Sequence, residues 1–218
     1  MEQAKGKPSL LGMFTNPSAQ FEKIRVQPVI WGPLAIITLV YFIASIIMAI
    51  TLTPEDLVVP GTVTLEDAEL AIGISKVTMV ISSLFGPIFG LLISTLIYFI
   101  IIKIAKKDST FRQLFSMSTF IMAIGAAGLL LNNLLHLLFG GSQGVYLTSL
   151  AGIMKSDSLV LASFEIFSIW QLVLTAIGLH KVGKLSKGVA WTISIIFFLF
   201  GLVMAVIGDV FKTIMESL

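Results

Sequence analysis

The chain has no cysteine, which excludes disulfides, thiol catalysis, Cys-ligated zinc and iron–sulfur clusters together, and leaves the redox compartment unreported. Charge is scarce, with Asp, Glu, Lys and Arg making up 12% of 218 residues. Histidine occurs only as His136 and His180, and neither stands in an HExxH zinc pattern. A Gly-x-Ser-x-Gly elbow and the paired Glu motif of intramembrane prenyl proteases are also missing. Enzyme activity is therefore not expected, and no metal or other cofactor is implied. The string from Gly183 to Gly188 looks nucleotide-like, yet it lacks the Gly-x-x-x-x-Gly-Lys-Ser/Thr order that cradles phosphates, and reads as a basic connection.

What fills the sequence instead is apolar. Hydrophobic residues make up 56% and the mean hydropathy is +1.01, more apolar surface than a soluble domain of this length can hide. Lipid must be the solvent. Five runs, at 30–52, 77–102, 114–139, 159–179 and 189–207, are long enough for a hydrocarbon core that needs roughly 20 apolar residues of helix. The alternation of a membrane β-barrel is absent, and an open strand would leave backbone groups unpaired in lipid. The expected fold is therefore all-α: a bundle of five transmembrane helices at 29–208, preceded by a segment at 1–28 and followed by a tail at 209–218. The first run begins late, is too long for a signal-peptide core and has no cleavage pattern after it, so a secretory signal is not expected.

Basic residues set the expected orientation. Lys5, Lys7, Lys23, Arg25, Lys103, Lys106, Lys107, Arg112, Lys181, Lys184 and Lys187 place eleven of the 14 on one side. The first segment of the other side carries Glu55, Asp56, Glu66, Asp67 and Glu69. The N-terminus is expected in the cytoplasm and the C-terminus outside a cell membrane crossed several times. Topology accounts for these basic residues, so nucleic-acid binding is not expected.

Residues 1–28 have the marks of a membrane-surface element. Asn16 can cap a helix that starts at Pro17, and Phe21 and Ile24 then share a stripe away from Glu22, Lys23 and Arg25. Leu10, Leu11, Met13 and Phe14 would sit at the headgroup boundary. On the opposite side, Thr64 is a plausible cap that would extend the second helix beyond the membrane, and residues 140–158 are apolar enough for a short surface or re-entrant helix.

Small residues mark expected helix contacts. Ser82, Gly86 and Gly90 form a ridge in the second run, where Pro87 would bend the helix; Ala123 and Ala127 in the third run, and Gly201 and Ala205 in the fifth, offer flat partners. Such ridges also permit a homo-oligomer. Among polar groups within the runs, Asn132, Asn133 and His136 lie near the outer end of the third, and Glu165 and Gln171 lie in the fourth. Glu165 is the one acidic residue inside any run, so it should be protonated or partnered by His136 or an Asn. An interhelical hydrogen-bond clamp weighs somewhat more than a proton-linked or ligand site, and Gln171 should bond across to a neighbouring helix.

Several stretches carry a family resemblance. Phe14-x-x-Pro17-x-x-x-Phe21-x-x-Ile24-x-x-x-Pro28 followed by Trp31-Gly32-Pro33, then Ser109-Thr110-Phe111-Arg112-Gln113-Leu114-Phe115, then Phe167-Ser168-Ile169-Trp170-Gln171-Leu172 resemble the YIP domain (Ypt-interacting-protein) family, its bacterial members in particular. The resemblance implies five spans, a cytoplasmic N-terminus and an outside C-terminus. Eukaryotic members carry an acidic residue where this chain has Val29-Ile30-Trp31-Gly32-Pro33, which removes the ground for carrying over Rab-GTPase binding. Bacterial members imply an accessory or assembly role beside an ABC-type exporter. The expected function is a non-catalytic membrane scaffold, with the lipid bilayer and other membrane proteins, ABC exporter subunits among them, as partners. A small transporter or channel using the intramembrane polar cluster, and a membrane-shaping or trafficking factor, are the alternatives.

Overall fold

A computed structural model describes residues 6–58, 62–140 and 146–216. Nine α-helices occur among them: α1 (Gly12–Thr15), α2 (Pro17–Val26), α3 (Trp31–Thr51), α4 (Leu65–Ile104), α5 (Phe111–Phe139), α6 (Leu150–Met154), α7 (Leu159–Ala162), α8 (Ile166–Lys181) and α9 (Lys187–Glu216), with a 3-10 turn at Pro54–Leu57. Four of them, α3, α4, α5 and α9, are long and apolar enough to cross a membrane.

α5 is the axis of the bundle: 72% of its most apolar stretch is buried, against 28% for α3, 17% for α4 and 6% for α9. Helices α3 and α4 pack on α5 and on each other, α8 packs on its other flank, and α9 lies against α8. Polar side chains stitch these contacts at little cost, because each hydroxyl finds a carbonyl that the helix leaves accessible. Ser45 and Ser83 meet at 2.8 Å between α3 and α4, and Ser194 donates to the Leu172 carbonyl at 2.6 Å between α9 and α8.

The stretch Ser109–Gln113 shows local sequence making local structure. Thr110 caps α5, with its backbone N–H donating to Gln113 Oε1 at 2.8 Å and the Gln113 N–H donating back to Thr110 Oγ1 at 3.3 Å, a reciprocal pair that satisfies two otherwise orphaned donors. The same Gln113 then reaches across to donate to the Arg25 carbonyl at 2.7 Å. Ser109 donates to the Val182 carbonyl at 2.7 Å, tying the start of α5 to the end of α8. Thr64 and Asp67 form the same reciprocal cap on α4, at 3.2 Å in each direction, so the second helix does extend beyond its apolar run.

The first helices bear out the cap and correct the destination of the stripe. Asn16 Oδ1 accepts from the Ala19 N–H at 3.2 Å, with Pro17 at the first helical position. Phe21 and Ile24, with Met13, are buried against Ile102, Leu114, Leu179 and Val182 at the basic end of the bundle. The stripe thus faces protein, because the ends of four longer helices there offer an apolar seat; Leu11, Phe14 and Val26 remain exposed.

The fourth run is not one continuous helix over 159–179. It splits into α7 and α8 around Ser163–Glu165, and Glu165 is the residue before α8 rather than a residue within a continuous helix. Its backbone is extended (φ −103°, ψ 139°) and pairs with the incoming strand-like segment: the Leu150 N–H donates to the Phe164 carbonyl at 3.1 Å, and the Ile166 N–H to the Thr148 carbonyl at 3.4 Å. A helix can stop inside an apolar sequence when the freed backbone groups are paired in this way. With 16 residues, α8 is about 24 Å long, short of a hydrocarbon core of about 30 Å.

The small-residue ridge also lies elsewhere than expected. A side-chain carbon added at Gly86, Gly90 or Gly201 would meet nothing within 4 Å, and Ser82 is exposed. Ser83 and Leu91, on another face of α4, make its contacts with α3 and α5. The close approaches are instead at Gly125 and Gly128 of α5, where an added side-chain carbon would come within 2.6 Å of Gln171 and 2.7 Å of Phe167, and at Gly178 of α8, which fits against Met117. Small residues here oppose large ones, ridge into groove, rather than one another. Ala123 is buried between α5 and α3, where Ala127 faces an apolar groove; Ala205 is half-buried on α9. On the segment expected to form a surface or re-entrant helix, α6 begins at Leu150; residues 141–145 fall outside the described ones.

Candidate functional site

The polar groups singled out in the sequence divide among three places. At the end of the bundle opposite the basic one, Asn132, Thr148, Glu165 and Ser168 form one network. Thr148 Oγ1 donates to Glu165 Oε1 at 2.7 Å and accepts from Asn132 Nδ2 at 2.8 Å, while the Thr148 N–H donates to Asn132 Oδ1 at 3.1 Å. Glu165 Oε2 accepts from the Ser168 N–H at 2.7 Å and from the Ser168 hydroxyl at 3.0 Å. The carboxylate is 3% exposed and acts as an acceptor at both oxygens, so its position at the N-terminus of α8 also meets the favourable end of the helix dipole. Asn132 is the expected partner, reached through Thr148 rather than directly. His136 lies half-buried one turn further along α5 and is not among these partners of Glu165.

Asn133 does different work: its Nδ2 donates to the Ala44 carbonyl at 2.8 Å, joining α5 to α3. Close by, Asp209 of α9 holds the start of α7, accepting from the Leu159 N–H at 2.7 Å and the Ser158 hydroxyl at 2.7 Å. The sequence held no signal for Thr148, which stands 16 positions from Asn132 in a connecting segment; the Glu165–Ser168 spacing could have been read as a helix cap.

Deeper in the bundle, Gln171 bonds across to α5 as expected, its Nε2 donating to the Ile121 carbonyl at 3.4 Å. It also lines a cleft of about 320 Å³ between α4 and α8, together with Ser94, Tyr98, Ser118 and Thr175, with Pro87 and Gly90 at its edge. No charged side chain lines it. These hydroxyl residues carried no motif, since each alone is ordinary in a membrane helix.

The third place is the basic end. Lys181 and Glu22 form an ion pair at 2.5 Å between α8 and α2, and the Lys181 ammonium holds the Glu22 carboxyl below its ordinary value. The motif residues Phe14, Gly32 and Pro33 line an apolar groove of about 610 Å³ with Leu11, Ala123 and Ala127, while Trp31 points outward and is exposed. Pro17 and Phe21 belong to α2, Pro28 lies in its connection to α3, and Trp170 packs on the cluster around Phe21 and Leu179. Most of the motif therefore serves to seat the N-terminal helices on the bundle.

"Membrane protein YknW" of Bacillus subtilis (strain 168) is 37% identical over 201 residues, which cover 89% of this chain and 87% of that protein. No solved structure matches the chain. The Yip1 domain matches residues 11–208, from the first turn of α1 to beyond the last apolar run, and the chain belongs to the Yip1 domain family of membrane proteins.

Proposed function

We propose that this chain is a non-catalytic membrane scaffold that assists the assembly or activity of another membrane complex, an ABC-type exporter being the partner class that the resemblance to bacterial family members implies. In this reading α7 and α8 together complete a fifth crossing, residues 1–28 lie on the cytoplasmic face, and residues 209–218, expected as a tail but helical in α9 as far as Glu216, lie outside. The basic ends of α4, α5, α8 and α9 support that orientation.

The observation that carries the reading is the first part of α4. Its 40 residues measure about 60 Å, of which the apolar run at 77–102 takes about 39 Å, so the turns at 65–76, about three, stand clear of lipid. On those turns Leu70 and Ile74 are 78% and 73% exposed, one turn apart and continuous with exposed Val77. Lipid cannot cover an apolar stripe outside the bilayer, and a protein partner can. The polar residues that a transporter would need point the other way, since Glu165, Asn132 and Asn133 already spend their hydrogen bonds inside the chain.

A mild-detergent pull-down of the tagged protein from native membranes, with mass spectrometry, tests this. Recovery of a membrane complex that is lost in a Leu70→Ser/Ile74→Ser variant is the expected result. Recovery of the protein alone, or of the same partners with the variant, overturns the scaffold reading and leaves flux measurements in liposomes as the next step.

A further inference from the structure

We propose that the cleft between α4 and α8 is a binding site for the uncharged polar head of a neutral lipid, of the diacylglycerol type, with its tails left in the bilayer. The inference goes beyond the scaffold reading and does not rest on it.

The cleft exists because α4 and α8 both pack on α5 without packing on each other along this stretch. They approach toward the basic end, where Ile102 nears Gly183, and Tyr98 reaches Thr175 across the gap. The wedge left between them has polar side chains from four helices: Tyr41 from α3, Ser94 and Tyr98 from α4, Ser118 from the α5 floor, Gln171 and Thr175 from α8. Hydroxyl and amide groups inside apolar helices are costly unless bonded, so their convergence on one hollow calls for an explanation.

Ser118 points to a ligand. It is 6% exposed, and its Oγ is buried with no hydrogen-bond partner. A membrane-helix serine or threonine ordinarily bonds a carbonyl one turn back. Its neighbour Thr119 does so at 2.8 Å, Thr175 does so at 2.8 Å and Ser94 at 3.1 Å. Among the described residues, Ser118 alone of the hydroxyls lining the hollow is buried without a hydrogen bond. Gln171 has one side-chain hydrogen bond, a long one of 3.4 Å, from a group that can make four.

The chemistry of the missing partner follows from the lining. With no acid, base or histidine on the wall, an ion would enter unpaired, which excludes phosphate and ammonium heads. The mouth faces lipid: Gly90 is exposed and has nothing within 4 Å of its added carbon. Entry is therefore lateral, from the bilayer, and favours a molecule already dissolved there. A glyceryl head with its hydroxyl and ester oxygens offers donors and acceptors to Ser118, Gln171 and Thr175 and fits within about 320 Å³.

The test is native mass spectrometry of the full chain released from nanodiscs that contain dioleoylglycerol and dioleoylphosphatidylglycerol at equal fraction. Retention of dioleoylglycerol in preference to the charged lipid is expected, falling about tenfold in Gly90→Leu, which blocks the mouth, and severalfold in Ser118→Ala, which removes the unbonded hydroxyl. Gly90→Leu replaces an outward-facing residue, and an unchanged melting temperature verifies that its fold is kept. No retained neutral lipid, equal retention of the charged one, or retention indifferent to Gly90→Leu would overturn the assignment.

Discussion

The Thr148 hydroxyl stands 2.7 Å from a Glu165 carboxylate oxygen and 2.8 Å from the Asn132 amide nitrogen, so one hydroxyl joins α5, a connecting segment and the start of α8. Removing one member leaves buried partners unpaired. Glu165→Leu is expected to cost about 3 kcal/mol and Thr148→Val about 1–2 kcal/mol, with Glu165→Gln the mildest because a carboxamide oxygen still accepts from Ser168. Thermal unfolding in detergent measures the order; equal losses for Glu165→Leu and Glu165→Gln would mean that the network contributes nothing as an acceptor site.

The glycines of α5 and α4 should behave oppositely. Gly128→Val drives a side chain into Phe167 and is expected to destabilise by about 2 kcal/mol, while Gly86→Val meets open space and leaves unfolding of the single chain within about 0.5 kcal/mol of the parent. Melting curves of the two variants decide the matter. A Gly86→Val loss as large as that of Gly128→Val would place an intrachain contact where none is seen.

A pH dependence is expected in the docking of α2. The Lys181 ammonium lowers the Glu22 carboxyl in the folded state, so the stabilisation is fully present above the carboxyl's unfolded value and is lost as pH falls through the folded one. Hydrogen exchange of residues 17–26 should stay slow from about pH 7 to pH 5, after correction for the intrinsic rate, and rise below about pH 4. Glu22→Gln should flatten the profile. A profile unchanged by that substitution assigns the effect to another group.

Because the chain has no cysteine, single cysteines report topology without background. Cysteines placed at Lys107 and Lys184 are expected to be protected from an impermeant maleimide in intact cells, and one at Glu69 to be labelled. Labelling at Lys107 with protection at Glu69 would invert the proposed orientation.

The sequence made the long helices legible because length and hydropathy alone decide them; α3, α4, α5 and α9 all coincide with apolar runs. The caps at Asn16, Thr64 and Thr110 were local as well, each needing only residues a turn away. The break at Glu165 was hidden, because what makes it stable is Thr148, a residue whose importance exists only after the chain folds back. The packing glycines were misjudged for a similar reason. Spacing marks a smooth helix face, but which face meets a neighbour depends on where Phe167 and Gln171 of another helix arrive. The cleft was invisible in sequence because its hydroxyls come from four separate helices.

The length of α4 has a consequence of distance. In the proposed membrane placement, about twelve residues of continuous helix before the apolar run make a stiff post of about 18 Å, rooted in the bundle by Leu91 and Thr95 and crowned by Glu66 and Glu69. A protein that seats on Leu70 and Ile74 is held at that height, above the lipid headgroups yet too near for a folded domain to slip beneath. Shortening the post by two turns would lower the seat by about 11 Å, so the spacing between membrane and partner is written into the number of residues before Val77.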